Sequence, residues 1–192
     1  MNYKKIAKFI KDARNLTIWD TESIQFISDG AAVYPVYGMP RMSEMEMLNF
    51  LGLVDNADKI SVIRKNAPDW LKVLTYEKCD ENILERTGPM ILLHGEAHRT
   101  FYTESGALVV RNSYITAVEN SFDKDYPVIH CQIELPKSPG VAVFARFDLY
   151  AVILPKKTEG LYTDYLKLAT QLQEADIARV AQMMREADES EE

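Results

Sequence analysis

Cysteine is scarce in this chain: Cys79 and Cys131 are the only two in 192 residues, and they lie far apart. That argues against a disulfide framework and fits a reducing compartment. Long apolar runs are missing as well. None approaches the ~18 residues that a membrane-spanning helix needs, so no membrane span is expected. The N-terminus is basic, but lysines interrupt its apolar residues, which is not how a signal peptide reads. G-x-S-x-G, P-loop and G-x-G-x-x-G motifs are absent, so the common nucleophile and nucleotide signatures are not there. Cations are outnumbered: 22 Lys and Arg against 29 Asp and Glu give a net charge of −7. Wholesale coating of nucleic acid is thereby excluded, although a local basic face is not. There is no low-complexity linker and no short solenoid-type repeat. The expectation is a soluble, cytoplasmic protein without a cofactor. Its length allows one domain whose core needs neither metal nor disulfide.

What is present is an alternation of helix and strand patterns. Residues 2–14 place Tyr3, Ile6, Phe9, Ile10 and Ala13 at helical spacing, with Asn2 as a cap and Asn15 as a stop. Residues 16–19 and 24–27 read as short strands, Ser28-Asp29-Gly30 as a turn, and 31–37 as a third strand that Pro35 places at an edge or an end. Ser43 and Glu46 form a capping box for a helix closed by Gly52. Strands are expected at 60–63 and 90–93, with a mixed region between them. Residues 107–154 read strand, helix, then three strands. The stretch 161–187 reads as one long helix carrying Leu161, Tyr165, Leu168, Leu172, Val180, Met183 and Met184, and 188–192 as an acidic disordered tail. The division is therefore an α+β domain over 1–160, with inserted elements at about 38–106, then a C-terminal helix. The expected fold class is α+β, an antiparallel sheet with helices on one face.

Four groups of residues are candidates for function. Lys4, Lys8, Lys11 and Arg14 share one face of the first helix. The plain reading is a solvated surface; the sharper one is a face that follows a polyanion. His94, Glu96 and His98 supply two imidazoles and a carboxylate, which on a strand would share a face and suit zinc or iron. The spacing is not that of H-E-x-x-H, and Gly95 favours a polar loop or hairpin end. Tyr34 and Tyr37, with Met39 and Met42, form a candidate contact surface. Met183 and Met184 near the end of the last helix are a second, suited to self-association. Cys131 alternates with Ile129 and Ile133 as a packed core thiol would, while Cys79 lies in a charged, exposed-looking stretch.

Residues 2–37 and 107–155 share a helix-and-three-strands pattern. Residues 109–118, with Asn112 before Tyr114, resemble the strand-to-helix segment of a bacterial-type sliding-clamp domain. The run 149–156 resembles its closing strand, Ser138-Pro139 the serine-proline before the penultimate strand, and Ser28-Asp29-Gly30 its threonine-aspartate-glycine turn. The resemblance covers about 60 residues. It implies a single clamp-like domain of two similar halves. Clamps carry two or three such domains per chain, so a ring would require high-order oligomerisation. The second helix carries no lysine, which leaves DNA contact to Lys4, Lys8, Lys11 and Arg14. The leading expectation is a non-enzymatic binding protein of DNA metabolism, of a mobile element, with a protein partner or self-association. A small metal-dependent enzyme using His94, Glu96 and His98, and a self-associating structural protein, are the alternatives.

Overall fold

The computed structural model describes residues 1–79, 82–84, 87, 88, 90–93, 95–103, 106–119, 127–136, 138–146, 148–154, 167, 170, 171 and 174–183. Leu161, Tyr165, Leu168, Leu172 and the 188–192 tail lie outside them. The elements run α1 (Tyr3–Ala13), β1 (Asn15–Asp20), β2 (Gln25–Ser28), β3 (Ala32–Val36), α2 (Glu44–Phe50), β4 (Ser61–Asn66), α3 (Asp69–Lys72), α4 (Tyr76–Cys79), β5 (Ile91–Leu93), β6 (Glu96–Thr103), β7 (Gly106–Arg111), α5 (Asn112–Glu119), β8 (Val128–Ile133), β9 (Gly140–Ala145) and β10 (Asp148–Ile153). A short 3₁₀ helix, Val54–Lys59, precedes β4.

The fold is α+β. One sheet has seven strands in the order β4-β1-β2-β3-β10-β9-β8; β5, β6 and β7 form a second. Two antiparallel meanders, β1-β2-β3 and β10-β9-β8, meet at an antiparallel seam between β3 and β10. Each follows a helix, and α1 and α5 pack on each other through an edge-on contact of Phe9 with Tyr114, ring centroids 4.7 Å apart. The inserted region lends β4 to the sheet edge, where it runs parallel to β1, so the sheet is mixed rather than purely antiparallel.

The central strands are buried on both faces, which is why β3 and β9 are inaccessible at every position. The main core fills the face shared by α1, α2 and α5, with Ile6, Ile10, Ile18, Ile27, Met47 and Ile115 among its residues. A second core lies on the opposite face under α3 and α4, where Leu71 and Cys79 meet Phe26, Val33, Cys131 and Phe144. The three principal helices share one face as the sequence implies, and the two one-turn helices cover the other. Pro35 is not at a sheet edge, because β3 is the central strand; it stands near the strand's end, the other place expected for it. The β10 ladder ends at Val33, so no pairing on that side asks for the proline's missing N–H.

Local chemistry explains several joints. Ser43 and Glu46 form the expected reciprocal capping box. Gly30 sits at φ +99, a backbone state that favours glycine, and closes the β2–β3 turn. Gln25 acts as a strand mimic: its Oε1 accepts from Met42 N–H at 2.8 Å and its Nε2 donates to Met42 O at 2.9 Å. That exchange pins 37–43 across the strand ends and buries Met42, which is not the free contact residue the sequence suggests. Tyr34 is also corrected. It is 1% exposed in the main core and is not an interface residue. Tyr37 is exposed, with its hydroxyl donating to Leu149 O at 2.9 Å. Cys79 is buried rather than exposed.

Candidate nucleic-acid interface and the adjoining cleft

Helix α1 is set at both ends by short-range bonds. Asn2 Oδ1 accepts from Lys5 N–H at 3.1 Å, and Arg14 takes a left-handed conformation, φ 52, that turns the chain into β1. Ile6, Ala7 and Ile10 are buried; Ala13, expected on the same face, is exposed at the last turn. Lys4, Lys8, Lys11 and Arg14 are all exposed, and none takes part in an ion pair among the described residues. They recur every three or four residues, so they form one stripe about 15 Å long at 1.5 Å of rise per residue. No cation continues it on α5.

Beside this stripe lies a cleft of about 830 Å³ between α1, the β2–β3 turn, β6 and the start of α5. Asp29 is its organising group. Its Oδ1 accepts from Ala31 and Ala32 N–H, both at 2.9 Å, and its Oδ2 accepts from the Tyr114 hydroxyl at 2.6 Å. Burial, then the Asp29 charge, raises the Tyr114 pKa far above its ordinary value, so the phenol stays a donor. Arg111 lies against the Tyr114 ring, 5.5 Å from its centroid, and pairs with Glu96. Glu96, Arg111, Tyr114 and Asp29 thus join β6, β7, α5 and the first half's turn. Tyr114→Phe removes the donor and leaves a buried carboxylate oxygen short of a partner. The expected loss is about 1–3 kcal/mol of stability, read from urea denaturation, with secondary structure unchanged at neutral pH.

The cleft is not an anion pocket. Asp12, Asp29 and Glu96 outnumber Lys8 and Arg111 in its lining, and Arg111 is already engaged. Of the metal-ligand candidates, His94 lies outside the described residues. Glu96 and His98 both sit on β6, with Glu96 held by Arg111 and His98 Nδ1 3.0 Å from the Glu96 backbone oxygen. Among the described residues no group of three or more His, Cys, Asp or Glu is placed to hold a metal ion.

A second polar assembly was not anticipated from sequence. Arg99 on β6 grips Glu119 at the end of α5 with two bonds, 2.6 and 2.9 Å, and donates to Asn112 Oδ1 at 3.1 Å. His130 Nε2 on β8 lies 3.1 Å from the same Glu119 Oε1. The assembly ties the small sheet to the edge of the large one. Burial works to raise the Glu119 pKa, but His130 and Arg99 outweigh it and hold the carboxyl at about 2. The sign that could have revealed it is an arginine set between residues of strand-like alternation in 96–103.

Of the proposed contact residues, Tyr37 and Met183 are exposed, and Met184 lies outside the described residues. Residues 174–183 are helical, and Ile177, Val180 and Met183 on them are exposed. No described helix is long and apolar enough to cross a membrane. Comparison with family models, with curated proteins and with solved structures finds no match for this chain.

Proposed function

We propose that this chain is a non-enzymatic, clamp-like binding protein of DNA metabolism that contacts the phosphate backbone through α1. The observation that carries the reading is the exposed stripe of Lys4, Lys8, Lys11 and Arg14, unpaired among the described residues. The arrangement of α1 beside α5 on a sheet of two meanders is in keeping with the clamp-domain resemblance. Contact of this kind positions a protein on nucleic acid and reads no sequence. Each cation that neutralises a phosphate releases a counterion, so affinity reports the number of contacts through its salt dependence. The overall charge of −7 opposes long-range attraction, which makes binding local and weak.

The test is fluorescence anisotropy of a labelled duplex against salt concentration. Four contacts give a slope of log affinity on log salt of about −3.6, which is a loss of roughly 100-fold between about 50 and 200 mM salt. Binding should not depend on the duplex sequence. No detectable binding at low salt would leave α1 with an ordinary solvated face and refute the proposal.

A further inference from the structure

The two cysteines are 52 positions apart in sequence but sit in one cluster. Cys79 ends α4 and Cys131 lies mid-strand on β8; α4 packs directly on β8, and the thiols are 2% and 0% exposed. The packing of α4 on β8 thus puts both thiols in one buried cluster on the same face of the large sheet. Neither is in a disulfide. The same strand also receives Ile83, which bridges to Cys131, and Leu84, whose N–H donates to His130 O at 2.8 Å. Ile83 and Leu84 therefore lie along the outer edge of β8, an end strand of the large sheet.

From this packing we infer that Cys79 and Cys131 are a redox modification site, forming an intramolecular disulfide that locks α4 onto β8. The reaction partner is a low-molecular-weight disulfide such as oxidised glutathione. Cys79 thiolate attacks one sulfur of the oxidant and expels the other as a thiolate, leaving a mixed disulfide on Cys79. Cys131, deprotonated, then attacks the Cys79 sulfur and expels the second small thiolate. Two protein thiols are oxidised, one small disulfide is reduced to two thiols, and the two protons go to the departing thiolates. Hydrogen bonding with Cys131 lowers the Cys79 pKa below its usual range, which favours Cys79 as the first attacker. A helix of one turn, Tyr76–Cys79, has little cooperativity of its own, so it can lift to admit the oxidant.

The experiment takes the reduced full-length protein, equilibrates it with oxidised glutathione, and reads intact mass, thiol titration in denaturant and a non-reducing gel. The expected product is a monomer lighter by two hydrogen atoms, with no titratable thiol and with the peptides bearing Cys79 and Cys131 linked. Closing a loop of this length should raise the melting temperature by about 5–10 °C, reversibly with dithiothreitol. Hydrogen exchange at Leu84 should slow in the oxidised form. Cys79→Ser and Cys131→Ser should each lose the linkage and the temperature shift. Two thiols still titrating after equilibration, glutathione retained on both cysteines, or cross-linked dimers in place of the intramolecular bond would overturn the inference.

Discussion

Replacing Lys4, Lys8 and Lys11 by glutamate should abolish duplex binding while leaving the protein folded. The triple change moves the α1 stripe from attraction to repulsion, leaving Arg14 as its one remaining cation. If these residues contact phosphates, affinity at about 50 mM salt should fall by more than roughly 100-fold, below detection for a weak binder. Folding should hardly respond. All three side chains are exposed and unpaired among the described residues, and lysine and glutamate have similar helix propensities. The helix dipole adds a small correction of opposite sign at the two ends: glutamate at position 4 is favourable in the first turn, and at 11 unfavourable in the last. Circular dichroism and melting temperature should therefore be unchanged beyond about 0.5 kcal/mol equivalent. A variant that still binds with wild-type affinity would show that DNA is held elsewhere. A variant that unfolds would contradict the exposed placement of the stripe.

Glu119→Gln is expected to cost stability in a pH-dependent way. Glutamine keeps the shape but gives up the ionised acceptor that receives both Arg99 bonds and faces His130. At pH 7 the loss should be about 2 kcal/mol, since bonds to charged groups lie near the upper end of the hydrogen-bond range. The pH dependence gives an independent test. The Glu119 carboxyl titrates at about 2 when folded and near the ordinary ~4.3 when unfolded. A carboxylate with a depressed folded pKa contributes stability above its unfolded pKa and loses it as pH falls through the folded one. Wild-type stability should thus fall between about pH 5 and 2, and Glu119→Gln should follow a shallower course in that window. Comparing the two proteins cancels the titration of the other carboxylates. Parallel curves for wild type and variant would mean that Glu119 is not held down by its partners.

The parts of the fold legible in sequence are those where local chemistry and burial agree. Asn2, Ser43 with Glu46, and Gly30 mark a helix start, a capping box and a turn, and each does what its type implies. The pattern of 107–154 likewise yields β7, α5, β8, β9 and β10 in order. The failures have a common cause, which is that burial comes from elements distant in sequence. For 94–98 the sequence points to a polar loop or hairpin end, and Gly95, at φ 79, does stand at the β5–β6 hairpin end. What has no local signal is the strand that follows, where His98, Arg99 and Thr100 interrupt any apolar pattern. In the fold His98 and Thr100 are buried, and Arg99 is satisfied by Asn112 and Glu119 from α5. Tyr34 groups in sequence with Tyr37, Met39 and Met42 as a contact surface; a strand covered on both faces puts it in the core. The proximity of Cys79 to Cys131 has no local signal at all, since it follows from α4 lying on β8. For the candidate interface the helical spacing was sufficient, because an exposed stripe needs no long-range partner to define it.

The seam at the middle of the large sheet bears on how the chain reaches its native state. Its ladder consists of two pairs, Val33 with Val152 and Ala32 with Ile153, and the bond from Leu154 N–H to Ala31 O extends it. These partners lie about 120 positions apart in sequence, whereas each flanking meander pairs near neighbours. Closing so large a loop carries its entropy penalty before any seam contact forms, and the two meanders carry almost none. The geometric centre of the sheet is therefore expected to assemble last. The expected order is that each meander forms with its own helix before Val33 and Val152 come into register, which seam mutations that speed unfolding without slowing folding would bear out.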